Sequence, residues 1–482
     1  MNFKSILPFF VLGLTLLPAF QTLRAQDYSY QQYRDHKERY AQPLGELLTL
    51  AEKDLGIKIE RGRGVEPFLE EKVPMAPWKF WNDPQLRLAY LLAPLDLSFE
   101  KIDEKTYRVF EPWYYVRPEA EGAAHLQRLL KQCPDREAWE ARKAQLTRTI
   151  SDALGLHPLL ENTKILSVNL SEKRTYDGYS VQNVSLELLP GYYLCGNLYL
   201  PADENVTEAG KKDGRPLVLC PHGHGDAGRT GADQQKRAAT LARMGAVCMS
   251  YSMFAWINAE TPLQRECHRD PVSGTMQTLQ TVRVIDFLTS LPDVDSTKIG
   301  ITGASGGGTQ TFLGTALDPR ITVSVPVVMV SSFFCGGCPC ESGNPFHIAE
   351  GGTCNAEIAA MAAPRPMLVV AVTQDWTKNV PESEFPYLQK IYGYYGAEKN
   401  VGYAYFDEPH NYGESKRQAA YPFLAQHLGL NLAALDEARV TVEEPEAMLA
   451  FGPNAENYPK NGVQTLEELK AVLQEAQKTV EK

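Results

Sequence analysis

Lys298-Ile299-Gly300-Ile301-Thr302-Gly303-Ala304-Ser305-Gly306-Gly307 decides the fold. The first half is an apolar run of strand character, the second is a G-x-S-x-G pentapeptide, and Gly306 to Leu317 reads as a helix. So tight a turn from strand into helix leaves no room for bulk at its flanking positions and holds the serine in a strained backbone conformation with its hydroxyl pushed out. The N-terminal N–H groups of the helix favour negative charge above the serine. Ser305 is therefore the candidate nucleophile, and Gly306 supplies half of a candidate oxyanion site.

Glycine-rich turns also serve nucleotide binding or close packing, so the reading needs partners. Arg365 to Val372 is a continuous apolar run suited to a strand buried on both faces, and Asp375 follows it. Val401 to Phe406 is a second such run, and His410 lies in the loop beyond. Serine, acid and histidine thus stand in the chain order of an α/β-hydrolase, each past the end of its own strand. A serine hydroxyl is a poor nucleophile at neutral pH, so His410 must take its proton and return it to the leaving alcohol, while Asp375 holds the imidazole tautomer. Asp407 and Glu408 sit too close to His410 in the chain to reach its ring well and read as solvated loop charge. His427 falls in the apolar pattern of a terminal helix.

The second half of the oxyanion site is expected after an earlier strand, Pro216 to Cys220, from the backbone near Gly223 and His224 in Pro221-His222-Gly223-His224-Gly225. His222-x-His224 also invites a zinc reading, but such a site needs a third ligand that the sequence does not place, and no metal or cofactor is expected. His222 reads as a buried, hydrogen-bonded histidine.

Ala246 to Tyr251 and Ile321 to Val330 read as further buried strands, and Thr275 to Leu291, Glu382 to Gly396 and Ser415 to Leu428 as helices. This alternation predicts a mostly parallel, doubly wound sheet with helices on both faces. Val181 to Leu188 and Tyr192 to Leu200, joined at Pro190-Gly191, predict an antiparallel hairpin at the sheet's edge.

Met1 to Ala25 has the basic start, apolar stretch and small-residue cleavage site of a secretory signal, so an exported, periplasmic or secreted protein is expected. No later stretch is apolar for long enough to span a bilayer. The formal net charge is −11, and −13 once Lys4 and Arg24 leave with the signal, which argues against nucleic acid as a partner. In an oxidising compartment the cluster Cys335, Cys338, Cys340 and Cys354 predicts one or two disulfides rather than a zinc site. Cys220 and Cys248 lie in strands and read as core.

Residues 26–115 predict a small α+β domain: a helix over Leu44 to Leu55, a strand at Ile57 to Ile59, a helix over Leu86 to Leu92 and a hairpin from Leu97 to Phe110. Its pattern resembles the short N-terminal domain of secretins and TonB-dependent receptors, implying a docking contact with an envelope protein; otherwise it is a packing domain. It is too short for a propeller. A helical linker over 116–160, a catalytic domain over 161–430 and an extension over 431–482 complete the division.

Four phrases carry a further resemblance: Gly303 to Thr311, Gly336 to Gly343, Asp375 to Asn379, and Pro409 to Gly413. From about Asp135 to Leu430 the chain resembles α/β-hydrolase carbohydrate esterases of polysaccharide-degrading bacteria, a group with acetyl-xylan-esterase-like proteins and a pectin methylesterase family. The resemblance implies a poly- or oligosaccharide ester as substrate and Ser305, Asp375 and His410 as the triad. The acetyl esterases carry glutamine where this chain has Gly306, which leans toward the pectin branch. Arg229, Arg265, Arg269 and Lys378 fall in loops expected at the catalytic edge, where they suit the carboxylates of such a substrate, and Trp256 and Trp376 suit sugar faces. A general short-chain carboxylesterase and a catalytically silent docking protein are the competing readings.

Overall fold

Met367 to Val372 shows why the sheet forms. Met367, Val369 and Ala371 enter one buried apolar cluster while Leu368, Val370 and Val372 enter another, so one strand of unbroken apolar sequence lies between two cores. This holds in a computed structural model that describes residues 41–62, 65–74, 82–95, 97–110, 117–161, 164–257, 260–342, 345–347 and 352–478. The secretory segment expected over Met1 to Ala25 lies outside the described residues. No helix among them is long and apolar enough to cross a membrane.

The chain divides into two units, Met1–Pro112 and Trp113–Lys482. In the first, β1 (Ala41–Pro43) pairs antiparallel with β3 (Lys72–Pro74), while β2 (Lys58–Arg61) runs parallel to β5 (Thr106–Phe110), which pairs antiparallel with β4 (Ser98–Lys101). Helices α1 (Leu44–Leu55) and α2 (Pro84–Leu92) close its core through Leu44, Leu47, Leu48, Leu88 and Leu91. Helix α1 stops at Gly56, whose φ of 63° is a left-handed cap that glycine adopts without strain.

In the second unit, α3 (Glu119–Gln132) and α4 (Arg136–Ala153) precede a ten-stranded sheet. Its strands are β6 (Ser167–Leu170), β7 (Arg174–Tyr176), β8 (Tyr179–Leu189), β9 (Tyr192–Pro201), β10 (Arg215–Leu219), β11 (Val247–Tyr251), β12 (Val294–Ala304), β13 (Val323–Val327), β14 (Met367–Val372) and β15 (Val401–Phe406). Their order is β15-β14-β13-β12-β10-β11-β9-β8-β6, with β7 on β8. The strands from β10 to β15 pair in parallel, and β9, β8, β6 and β7 join antiparallel. Helices α5 (Ala232–Arg243) and α9 (Glu414–Leu428) cover one face; α6 (Val272–Thr289), α7 (Gly306–Leu317) and α8 (Phe385–Gly393) cover the other. This is the α/β-hydrolase fold.

Two expectations need correction. The β8–β9 hairpin is not the sheet's edge, because β6 pairs along β8 and takes that place, leaving Val168 and Leu170 exposed. The helix expected from Glu382 opens as a π-turn over Val380–Glu384 before α8 begins. The segment after α9 packs onto this unit: Asn197 donates to the Met448 carbonyl at 3.1 Å, and helix α10 (Leu466–Lys478) buries Leu469 and Leu473.

Candidate active site

Strand order reverses beside β10, since β11 lies on one side of it and β12 on the other. The loops leaving the carboxyl ends of β10 and β12 part there, where ligands bind in open α/β sheets. They carry His222-Gly223-His224 and Ser305.

Ser305 has φ 56° and ψ −124°, a conformation that non-glycine residues adopt only where their surroundings enforce it. A Cβ at Gly303 would lie 2.5 Å from the Pro221 carbonyl oxygen, and one at Gly307 also 2.5 Å from it. The turn and the β10 loop are thus in backbone contact. A Cβ at Gly223 would come within 2.9 Å of the Ser305 Cβ, so Gly223 borders Ser305. Gly306 begins α7, where N–H groups have no partner within the helix.

Past β14, Asp375 is held on both carboxylate oxygens. Oδ1 accepts from the Thr377 backbone at 2.6 Å and the Thr377 hydroxyl at 2.5 Å; Oδ2 lies 2.6 Å from His410 Nδ1. The Thr377 hydroxyl accepts from the Val372 N–H at 3.1 Å, which anchors the arrangement to β14. The Asp375 side chain is 2 % exposed and the His410 side chain 28 %, so the acid is sealed while the imidazole reaches the surface. The Trp376 ring sits 4.4 Å from the His410 ring and 4.1 Å from that of Phe334. Among the described residues no hydrogen bond joins Ser305 to His410. Thr377 and Phe334 were not singled out by the sequence.

Asp407 bonds Thr373 and Glu408 bonds Lys416, so neither orients His410. His427 lies in α9 against Phe423. His222 is buried and neutral: Nδ1 donates to the Gly223 carbonyl at 2.8 Å, Nε2 accepts from the Met253 N–H at 2.9 Å, and burial pushes its pKa down to about 3.

Arg229 departs from its expected place. Its guanidinium is fully buried, pairs with Glu260, and donates to the Ser252 hydroxyl at 3.0 Å and the Met448 carbonyl at 3.1 Å. It fastens loops to one another and offers nothing to a substrate. Lys378 pairs with Glu119 at 2.7 Å, and Arg269 is exposed. The Trp256 ring carries the Arg265 guanidinium on its face at 4.3 Å and donates from Nε1 to the Gly225 carbonyl at 2.8 Å.

The cysteines also correct an expectation. All nine are free, including Cys335, Cys338, Cys340 and Cys354. Cys338 and Cys340 turn instead toward His224 and His268, and the four ligating atoms lie within 4.8 Å of one another. Only His224 of His222-x-His224 joins them, and nothing in the sequence brings it and Cys338-x-Cys340 together with His268.

No family model matches the chain. The solved structure of methylesterase BT1017 is similar over 94 % of this chain and 99 % of its own, at 37 % identity and a TM-score of 0.71. A glucuronoyl esterase from Teredinibacter turnerae covers 70 % of this chain at 14 % identity and a TM-score of 0.49. Acetyl esterase Axe7A of Xylanibacter ruminicola is 48 % identical over 44 residues, a stretch that spans 10 % of that curated relative's length.

Proposed function

Because the chain belongs to the esterase family of methylesterase BT1017, we propose that it is a serine carboxylic-ester hydrolase that removes methyl esters from plant cell-wall pectin or its oligosaccharides. The observation that carries the reading is the sealed Asp375 bonded to His410 past β14, at the same sheet edge as the strained Ser305 past β12. Ser305 attacks the ester carbonyl as His410 Nε2 takes its proton. Gly306 and the Gly223–His224 backbone donate to the oxyanion, a kind of contact worth about 3 kcal/mol per donor. The proton then passes from His410 to the departing methanol. Water, activated by the same imidazole, cleaves the acyl-enzyme and restores Ser305. Trp376, beside His410, gives the sugar a ring to stack on, and the exposed Arg269 supplies positive charge for neighbouring carboxylates, while the charge of Lys378 is already matched by Glu119.

An acetyl ester on a xylan-type glycan would reverse the roles, with acetate as the acyl group and sugar as the leaving alcohol. Purified protein incubated with methylated pectin fragments and, separately, with acetylated xylan distinguishes them. Methanol without acetate is expected; acetate without methanol would sink the methylesterase assignment.

A further inference from the structure

Four side chains from three loops meet beside Ser305 with no part in ester cleavage. His224 follows β10, His268 lies in the turn before α6, and Cys338 and Cys340 come from the loop after β13. The His224 and His268 Nε2 atoms are 3.2 Å apart, and Cys340 Sγ is 3.3 Å from His224 Nε2.

An outward hydrogen bond fixes the tautomer of His268. His268 Nδ1 is 2.5 Å from the Phe254 carbonyl oxygen, which only accepts, so this nitrogen carries the proton and Nε2 presents a lone pair. His224 Nδ1 faces the Glu341 carboxylate at 3.8 Å. Glu341 is buried and its Oε1 has no hydrogen-bond partner among the described residues. Two imidazole Nε2 atoms and two sulfurs thus converge on one point. One cation among the four atoms satisfies them all at once, and the carbonyl behind His268 and the carboxylate facing His224 are the usual support of metal-binding histidines. For Zn–N of about 2.05 Å and Zn–S of about 2.3 Å, a tetrahedron has N···N edges of about 3.3 Å and S···N edges of about 3.6 Å. The N···N edge agrees within 0.1 Å, and the S···N edge is shorter by about 0.3 Å.

We propose that His224 Nε2, His268 Nε2, Cys338 Sγ and Cys340 Sγ bind one tetrahedral zinc ion. Binding displaces the two thiol protons, and mixed imidazole and thiolate ligands favour zinc over magnesium or calcium. With all four positions filled by protein the site is closed, so the ion fastens loops and supplies no water to the reaction. What it fastens is the mouth of the active site: a Cβ on Gly306, next to Ser305, would lie 2.8 Å from His224 Cε1. The Trp256 ring covers both imidazoles, at 4.8 and 4.9 Å.

Metal analysis of the full chain, purified under reducing conditions without added metal, is expected to give about one zinc per chain. Cobalt exchanged into the site is expected to show the visible bands of a tetrahedral ion and a thiolate charge-transfer band. Cys340→Ser and His268→Ala are expected to lose the metal and Cys133→Ser to keep it. Should the first two variants fail to fold, the cobalt spectrum of the unaltered chain still decides. Three outcomes would overturn the proposal: metal-free protein that takes up no zinc, a Cys338–Cys340 disulfide in its place, or stoichiometric metal retained by Cys340→Ser. Fluorophosphonate labelling of Ser305 reads the esterase assignment separately, so either idea can fail alone.

Discussion

Asp375 Oδ2 stands 2.6 Å from His410 Nδ1, although 35 positions separate the two residues in the chain. Neighbouring parallel strands β14 and β15 release both at one edge, and the two Thr377 donors leave the carboxylate a single free direction, toward the imidazole. Asp375→Asn keeps the shape and turns the wrong group toward Nδ1. The expected result is a fall in kcat of about 10³ to 10⁴-fold near neutral pH, with slowed fluorophosphonate labelling of Ser305. Steady-state rates on an aryl acetate measure it, and a loss below tenfold would remove Asp375 from the triad.

Gly303→Ala sets a methyl group 2.5 Å from the Pro221 carbonyl and 2.6 Å from that of Gly307, both rigid backbone atoms. A stability loss of about 2 kcal/mol is expected, together with a fall in kcat from the displaced serine. Chemical denaturation and kinetics on the same preparation report the two effects.

Trp376→Ala removes the ring beside His410. If the ring carries sugar, kcat/KM for methylated pectin fragments falls about tenfold more than kcat/KM for an aryl acetate, a difference of about 1.4 kcal/mol. Equal losses on both substrates would assign Trp376 to support of His410 alone.

Arg229→Ala strands the Glu260 carboxylate in the interior without its partner. Breaking a buried pair in this way costs about 3–5 kcal/mol. Thermal unfolding is expected to show that loss, and KM for charged and neutral esters is expected to move together, because the guanidinium never meets substrate.

His125 is buried, and its pKa falls to about 4 through burial first and the neighbouring Arg117, Arg128 and Arg142 charges second. The folded chain therefore takes up this proton less readily than the unfolded one, whose histidine titrates near 6.5. Stability from this site is constant above pH 6.5 and declines between about 6.5 and 4, by up to roughly 3 kcal/mol. His125→Asn is expected to flatten the wild-type slope by about one proton, as measured by urea midpoints at pH 7, 6 and 5.

The strands before Ser305 and Asp375 were legible because a strand buried on both faces must be apolar throughout. Val401 to Phe406 was misread in the same terms: β15 is the sheet's other edge and leaves Tyr403 and Tyr405 exposed, because aromatic residues suit a half-solvated strand as well as a buried one. Arg229 misled because a charge in a loop is ordinarily solvated, and its partners Glu260, Asn197 and Met448 come from remote parts of the chain. The edge of the sheet was misjudged because β6 is short and leaves Val168 and Leu170 exposed, a pattern that does not announce a strand.

By itself the sequence determined the elbow, the chain order of Ser305, Asp375 and His410, and the two-faced sheet, because periodicity and glycine sterics act within a few residues of one another. The tertiary structure alone decided that Asp375 is sealed against His410, that Arg229 is an internal strut, and that His224 and His268 meet Cys338 and Cys340. Those outcomes depend on where loops from distant strands come to rest, and no local pattern in a chain encodes such a meeting.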